Sequence, residues 1–244
     1  MNNKNILISI IVGFAIIVMA LIFGNAYRFK YNHNNTINVT GYAKVDFESD
    51  IIKWSAYYRR KSMDMSSASA QLDKDKEKVK NFLIQQGINE GEIRFGAINI
   101  DRDYEYHYDE RGNSSRHFSG YTLSQRVNVE SNYLDKVDNA SREISTLISQ
   151  GLELNSYSPS YYFSGLEDLK LELISQASKN AKQRAQNIAT ESNAKITSLK
   201  KADLGVFQIT GQNDNEEYSY GGVFNTSSRH KTANITLKAA YSLK

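Results

Sequence analysis

Residues 6–23 (ILISIIVGFAIIVMALIF) carry no charge, and Ser9 is the one polar side chain among them. At ~1.5 Å per residue such a helix is about 27 Å long, close to the ~30 Å hydrocarbon core of a bilayer. A helix packed on a protein core keeps a polar face, and this run has none. The pattern predicts a single membrane helix, with Ile6, Ile10, Phe14, Val18 and Phe23 among its lipid-facing residues. Gly24-Asn25-Ala26 follows as a tolerable small-x-small cleavage site, so a removed signal segment is the alternative. The run exceeds the ~7–15 residues usual for the apolar stretch of a signal peptide, which favours a retained anchor. Residues 1–26 are thus read as anchor or signal. Residues 27–36 are read as a tether whose Tyr27, Arg28, Phe29 and Lys30 suit the headgroup layer.

Beyond residue 36 the period of the pattern changes. Residues 37–45 and 50–60 alternate as strands, and Ile52, Trp54, Ala56 and Tyr58 share a face. Phe47-Glu48-Ser49 is read as the turn between them. Met65, Ala68, Leu72, Val79, Phe82 and Leu83 recur at helical spacing, predicting a helix over 64–86 that starts at Asp64 and stops before Gly87. Strands follow over 93–106 and 117–130, joined by YDERGNSS as a hairpin tip. A second helix is predicted from Asn132 as cap to Gly151, and a strand over 152–163 contains the sole proline, Pro159. Ser164-x-x-Glu167 reads as a capping box opening a helix to about Asn193. Its stripe Leu169, Leu173, Ala177, Ala181, Ala185, Ala189 is small enough to let a neighbouring backbone approach closely. A strand over 196–209 broken near Gly205, a polar loop over 212–226 and a closing strand over 232–243 complete the chain. The order ββαββαβαββ predicts an α+β fold: mostly antiparallel sheet with helices packed on one side, in one domain over 37–244.

Charge and composition narrow the partners. Lys plus Arg is 30 against 27 Asp plus Glu, a net charge of +3 in 244 residues, which gives no strong field for nucleic acid. The absence of cysteine excludes disulfides, thiolate metal sites and cysteine nucleophiles. The four histidines, His33, His107, His117 and His230, show no His-x-x-x-His or HExxH spacing. His107 and His117 flank the hairpin tip near Asp101, Asp103, Glu105, Asp109 and Glu110, which reads as a charged exposed loop rather than a metal site. No nucleophile elbow, P-loop or dinucleotide fingerprint occurs. No catalytic residue, cofactor or metal ligand is therefore assigned. The anomaly is aromatic: the chain has 16 Tyr, and several lie where strand ends and loops are predicted. Tyr104, Tyr106 and Tyr108 share one face of a strand that reaches past the base of its hairpin, and are assigned to subunit contacts. Tyr218 and Tyr220, in GQNDNEEYSYGGVFN, form the second candidate patch. The alternative is a binding module for a peptide, sugar or metal using the same Tyr-rich loops.

Several segments also resemble a known family in order. INVTGYAKVDFESDI is similar to the opening of SIMPL-domain proteins, and QQGINEGEIRF to the end of their first helix. FSGYTLSQRVNVES with the following YLDKV, the ASKNAKQRAQNIA helix and the closing GGVFNTSSRHKTANITLKAAYSL continue the likeness from about Ile37 to Leu243. Glu48-Ser49 stands where many members carry a proline before the aspartate, and the Tyr-rich hairpin tip is a second departure. The resemblance implies an exported, non-enzymatic bacterial envelope protein. It also implies self-association and a link to oxidative-stress tolerance. The domain would lie on the periplasmic or extracellular side of the cell membrane, held by the N-terminal helix, or be released if that helix is cleaved. No catalytic residue comes with it.

Overall fold

A computed structural model describes residues 3–32, 35–108 and 112–244. Side chains are described outside 3–7, 9–10 and 29–32. His33, Asp109 and Glu110 lie outside the described residues, as do the side chains of Ile6 and Ile10.

The chain opens with helix α1 (Asn3–Asn32), followed by strands β1 (Thr36–Glu48) and β2 (Ile51–Ser62) and helix α2 (Met65–Gln85). A single 3-10 turn, Glu90–Glu92, leads into β3 (Ile93–Tyr108) and β4 (Ser114–Ser131). Helices α3 (Leu134–Glu143) and α4 (Thr146–Ser149), strands β5 (Glu153–Ser156) and β6 (Ser160–Tyr162) and helix α5 (Leu166–Glu191) follow. The chain ends with β7 (Ile196–Leu204), β8 (Gln208–Gly211), β9 (Val223–Phe224) and β10 (His230–Leu243). One sheet has the order β1-β10-β8-β9, with β7 also paired to β10; the other has β3-β4-β2-β5, with β6 also paired to β2. The α+β class with antiparallel-dominated sheets is as the pattern predicts; the parallel contact between β8 and β9 is a short exception.

The residues group into two compact units. The first takes in the chain up to Val45, Asp168–Phe207 and Asn234–Lys244; the second takes in Asp46–Glu167 and Gln208–Ala233. In the first, α5 lays its alanine stripe on the sheet: Ala177, Ala181 and Ala185 are fully buried. Gly41 on β1 is the reason the stripe must be small, since a Cβ there would run into the Ala177 carbonyl oxygen and come within 2.7 Å of the Ala181 Cβ. In the second, α2 and α3 cover one face of β2 and β4. Ile52, Trp54, Tyr58, Leu72, Leu83 and Val127 pack in that core. Asp64 caps α2 by accepting from the Ser67 amide at 2.7 Å. Two polar groups enter this core already paired. Tyr58 donates to Gln125 Oε1 at 2.6 Å and Gln125 donates to the Gly96 carbonyl at 2.8 Å. Asp75 accepts both Arg60 Nε and Arg60 Nη2.

Several boundaries differ from the pattern, each for a local reason. β1 and β2 are not a hairpin: they belong to different sheets, and Ser49-Asp50 rather than Phe47-Glu48-Ser49 joins them. The helix expected over 132–151 starts at Leu134, with Tyr133 at the cap position and no side-chain cap. Asp135 is held instead by Arg229, and the helix breaks into α3 and α4 at Ile144–Ser145. The strand expected over 152–163 is split around Ser158-Pro159, as a missing amide proton requires. The Ser164 hydroxyl goes to Asp50, and α5 begins one residue later than the capping box placed it. The polar loop over 212–226 contains the two-residue strand β9.

α1 is one helix through Asn32, so the collar around Tyr27 and Arg28 is helical rather than loose. Ile11–Arg28 is long and apolar enough to cross a membrane, and none of that stretch is buried. Phe14 and Phe23 are each 69% exposed, and Val18 is 37% exposed.

Candidate functional site

β2 stops pairing with β4 at Ser62, opposite Tyr121. Beyond that point β3 and β4 continue alone, with Tyr104 opposite Phe118 and Tyr108 opposite Ser114. This two-stranded arm is about 14 Å long from Tyr104 to Tyr108, at ~3.4 Å per residue. Gly120 marks its root. Its φ is +127°, and a Cβ there would come within 2.9 Å of the Ser62 carbonyl oxygen, so no other residue fits without distortion. A bulge lies at the same place, between Asp103 and Tyr104. It leaves the Ser119 hydroxyl buried without a partner.

The bulge has a consequence for the faces. Because residues opposite one another share a face, Tyr104, Tyr106 and Tyr108 stand with Phe118 and Arg116 on one side of the arm. Glu105, His107, Ser115 and His117 stand on the other. Phe118 packs edge-on against Tyr104 at 5.9 Å and against Tyr121 at 5.0 Å. The Arg116 guanidinium lies 3.5 Å from the centre of the Tyr104 ring. Tyr104 is thereby built into the root, whereas Tyr106 and Tyr108 are 57% and 73% exposed. Towards the body, Ile98 and Ile100 extend the same face and are 37% and 50% exposed. β3 is an edge strand, so the strip lies beside unpaired backbone donors and acceptors.

The second predicted patch is real as a loop but has different support. Gln208 donates to the Ser219 carbonyl at 2.8 Å and accepts from the Ser219 amide at 3.3 Å. Glu216 accepts from the Gly211 amide at 3.3 Å and from the Asn225 side chain. Between these anchors Tyr218 and Tyr220 face solvent, Tyr220 completely. Tyr104, Tyr106 and Tyr108 come together on one face; Tyr218 and Tyr220 belong to a separate loop. Beneath that loop lies a group the pattern did not single out. Lys231 is 1% exposed, and its ammonium donates to the Asn225 carbonyl at 2.6 Å. Burial pushes its pKa down from 10.5 to about 8, against a smaller opposing pull from Glu216. The signal was its register: extending the inward face of Ala233 and Ile235 back by two residues puts Lys231 on it, against the usual exposure of a lysine.

On the polar side of the arm the rings of His107 and His117 are 5.1 Å apart, and Ser115 Oγ lies 3.0 Å from His117 Nε2. Among the described residues no three His, Asp or Glu side chains are grouped to hold a metal ion. At the root, Asp103 accepts from the Thr122 hydroxyl at 2.6 Å and pairs with Lys61 at 3.2 Å. The hydroxyl first and the ammonium second hold its carboxyl below the usual carboxylate range.

Comparison with known proteins returns one family. The model of SIMPL, described as a protein of unknown function (DUF541), matches residues 37–238. No curated protein matches the chain.

Proposed function

The chain belongs to the SIMPL family, and from that premise we propose that it is a membrane-anchored envelope protein that self-associates through its β3–β4 arm and performs no chemistry of its own. α1 supplies the anchor, and the domain lies on the periplasmic or extracellular side. The observation that supports self-association is the arm itself. It exposes Tyr106 and Tyr108 on a two-stranded ribbon, next to the free edge of β3. Exposed aromatic surface on a ribbon is suited to burial against another subunit, because Tyr has little side-chain freedom to lose and tolerates a wet rim. A two-stranded ribbon outside a core is also marginal alone, and gains stability from whatever covers it.

The test is the absolute mass of the full chain in detergent, by light scattering across a concentration series. The wild type is expected as a concentration-stable oligomer. Removing residues 103–115, or replacing Tyr106 and Tyr108 together by Ser, should lower that mass while the thermal melt of the domain persists. An unchanged mass in both variants removes the arm from the interface.

A further inference from the structure

The second unit's sheet has a bare side. Helices α2 and α3 cover the face that carries Ile52, Trp54 and Tyr58; the opposite face carries Lys53, Ser55, Tyr57, Arg59 and Lys61 of β2. Along it lie two clefts, one at each end. The first, about 350 Å³, is floored by Ser55 and Asn128 and walled by Tyr157, Tyr162 and Arg94. The second, about 580 Å³, is bordered by Arg59, Lys61, Asp103, Thr122 and Glu153. From Lys53 to Lys61 the strand covers about 27 Å, at ~3.4 Å per residue.

We infer that this face is a binding groove for an uncharged, extended oligosaccharide. Three observations lead there. The first is charge balance. Each cation that β2 places on this face is already paired: Lys53 with Glu130 at 3.0 Å, Arg59 with Glu153, and Lys61 with Asp103 at 3.2 Å. Arg94 and Arg126 also stand on this face, and Glu92 and Asp101 at the two clefts offset them in number. Such a face offers little net attraction to a polyanion or a polycation, but it keeps many donors and acceptors at its surface. The second is the floor. The row Arg94, Asn128, Ser55, Tyr157 crosses β3, β4 and β2 and reaches the residue just after β5, each neighbour opposite or bonded to the next, with the short side chains in the middle. That dip arises because Ser158-Pro159 interrupts the outer strand and leaves Tyr157 and Tyr162 as flanking walls. The third is the aromatic platform. The Tyr57 and Tyr157 rings are 6.0 Å apart at 42°, the Arg126 guanidinium lies 5.5 Å from the Tyr157 ring, and Tyr157 is 44% exposed. A pyranose ring has an apolar C–H face and a hydroxyl rim. The face meets an aromatic ring, and the rim meets Asn128, Ser55 and the paired ions. The site also has a built-in reporter, since Trp54, the one tryptophan of the chain, lies beneath the first cleft with its indole bonded to Ser156.

The experiment is calorimetric titration of the full chain, held in lauryl dimethylamine oxide so that no sugar detergent competes, with cellohexaose, chitohexaose and maltohexaose. Trp54 emission is followed in parallel. Saturable binding of a straight β-linked hexaose, tighter than that of the coiled maltohexaose, is expected. Tyr157→Ala and Asn128→Ala should each weaken it about tenfold or more, a change of ~1.4 kcal/mol, with an unchanged melt. Tyr157→Phe should retain it. Three results overturn the inference: no saturable heat with either β-linked hexaose; affinity unaffected by both alanine variants; or displacement of the sugar by poly-lysine or heparin that disappears at high salt.

Discussion

Lys231 shows how far the chemistry of a residue can depart from the position it occupies. It stands in register with the inward residues Ala233 and Ile235 of β10, while Thr232 and Asn234 are buried as well and end the alternation at this point of the strand. The ammonium is kept because the Asn225 carbonyl receives it, but burial still disfavours the charged form. The folded chain therefore binds this proton less tightly than the unfolded chain does. Below about pH 8 the lysine is charged in both states and the full burial cost applies. Between about 8 and 10.5 the folded state has lost the proton and the unfolded state has not. Stability should thus rise with pH across that window. Chemical denaturation at pH 7.5, 8.5 and 9.5, below the range in which Tyr58 and Tyr161 would pull stability back down, should show a rising midpoint in the wild type, and Lys231→Met should flatten that rise. Tyr58 and Gln125 make the same point without charge: a Gln on the inward face of β4 reads as a fault in the alternation until its partners, Tyr58 and the Gly96 carbonyl, are seen.

At the scale of elements, what the sequence makes legible is periodicity, and what it hides is pairing. The α2 cap at Asp64 and the alanine stripe of α5 follow from spacing alone, because a helix closes its own hydrogen bonds and its faces are set by local arithmetic. The hairpin of β3 and β4 was legible too, since its turn is short. β1 and β2 looked like a second hairpin and are not, because adjacency in sequence says nothing about which sheet a strand joins. The face shared by Tyr104, Tyr106 and Tyr108 could be read from alternation; their company with Phe118 could not, because it depends on the bulge at the root of the arm. Asn132 failed as a cap, as the helix begins beyond it at Leu134. The tightest element contact gives the clearest expectation. Gly41→Ala forces β1 away from Ala177 and Ala181. It should cost about 1–3 kcal/mol, the usual range for overpacking. A fall in urea midpoint at unchanged slope would report it; an unchanged midpoint would mean α5 yields.

For the whole molecule, the decisive feature is α1, apolar on every described face and buried on none. Such a helix in water would expose a large apolar surface, so a bilayer or its removal are the two physical outcomes. Retention is the expectation. Membranes washed with alkaline carbonate should keep the protein, and mass spectrometry of the washed fraction should find the segment before Ala26 still attached. A mature mass lacking that segment would instead identify it as a signal. Nothing in the order of hydrophobic residues foretold the division into two units, because that division is a property of contacts between distant segments.

That discontinuity bears on how the protein is made. The first unit draws on the start, the middle and the last residues of the chain, and β10, which runs to Leu243, lies between β1 and its other partners. Neither unit has all its strands until the final segment has emerged. During synthesis, β1 therefore waits through some 180 residues for its neighbour, an interval of ~10–40 s at ordinary elongation rates. Local hairpins and helices can form in that time, but the sheet that joins β1 to β10 can close only once β10 has been made. The nascent protein thus spends that interval with an unfinished sheet edge. A chaperone that shields strand edges would act in it.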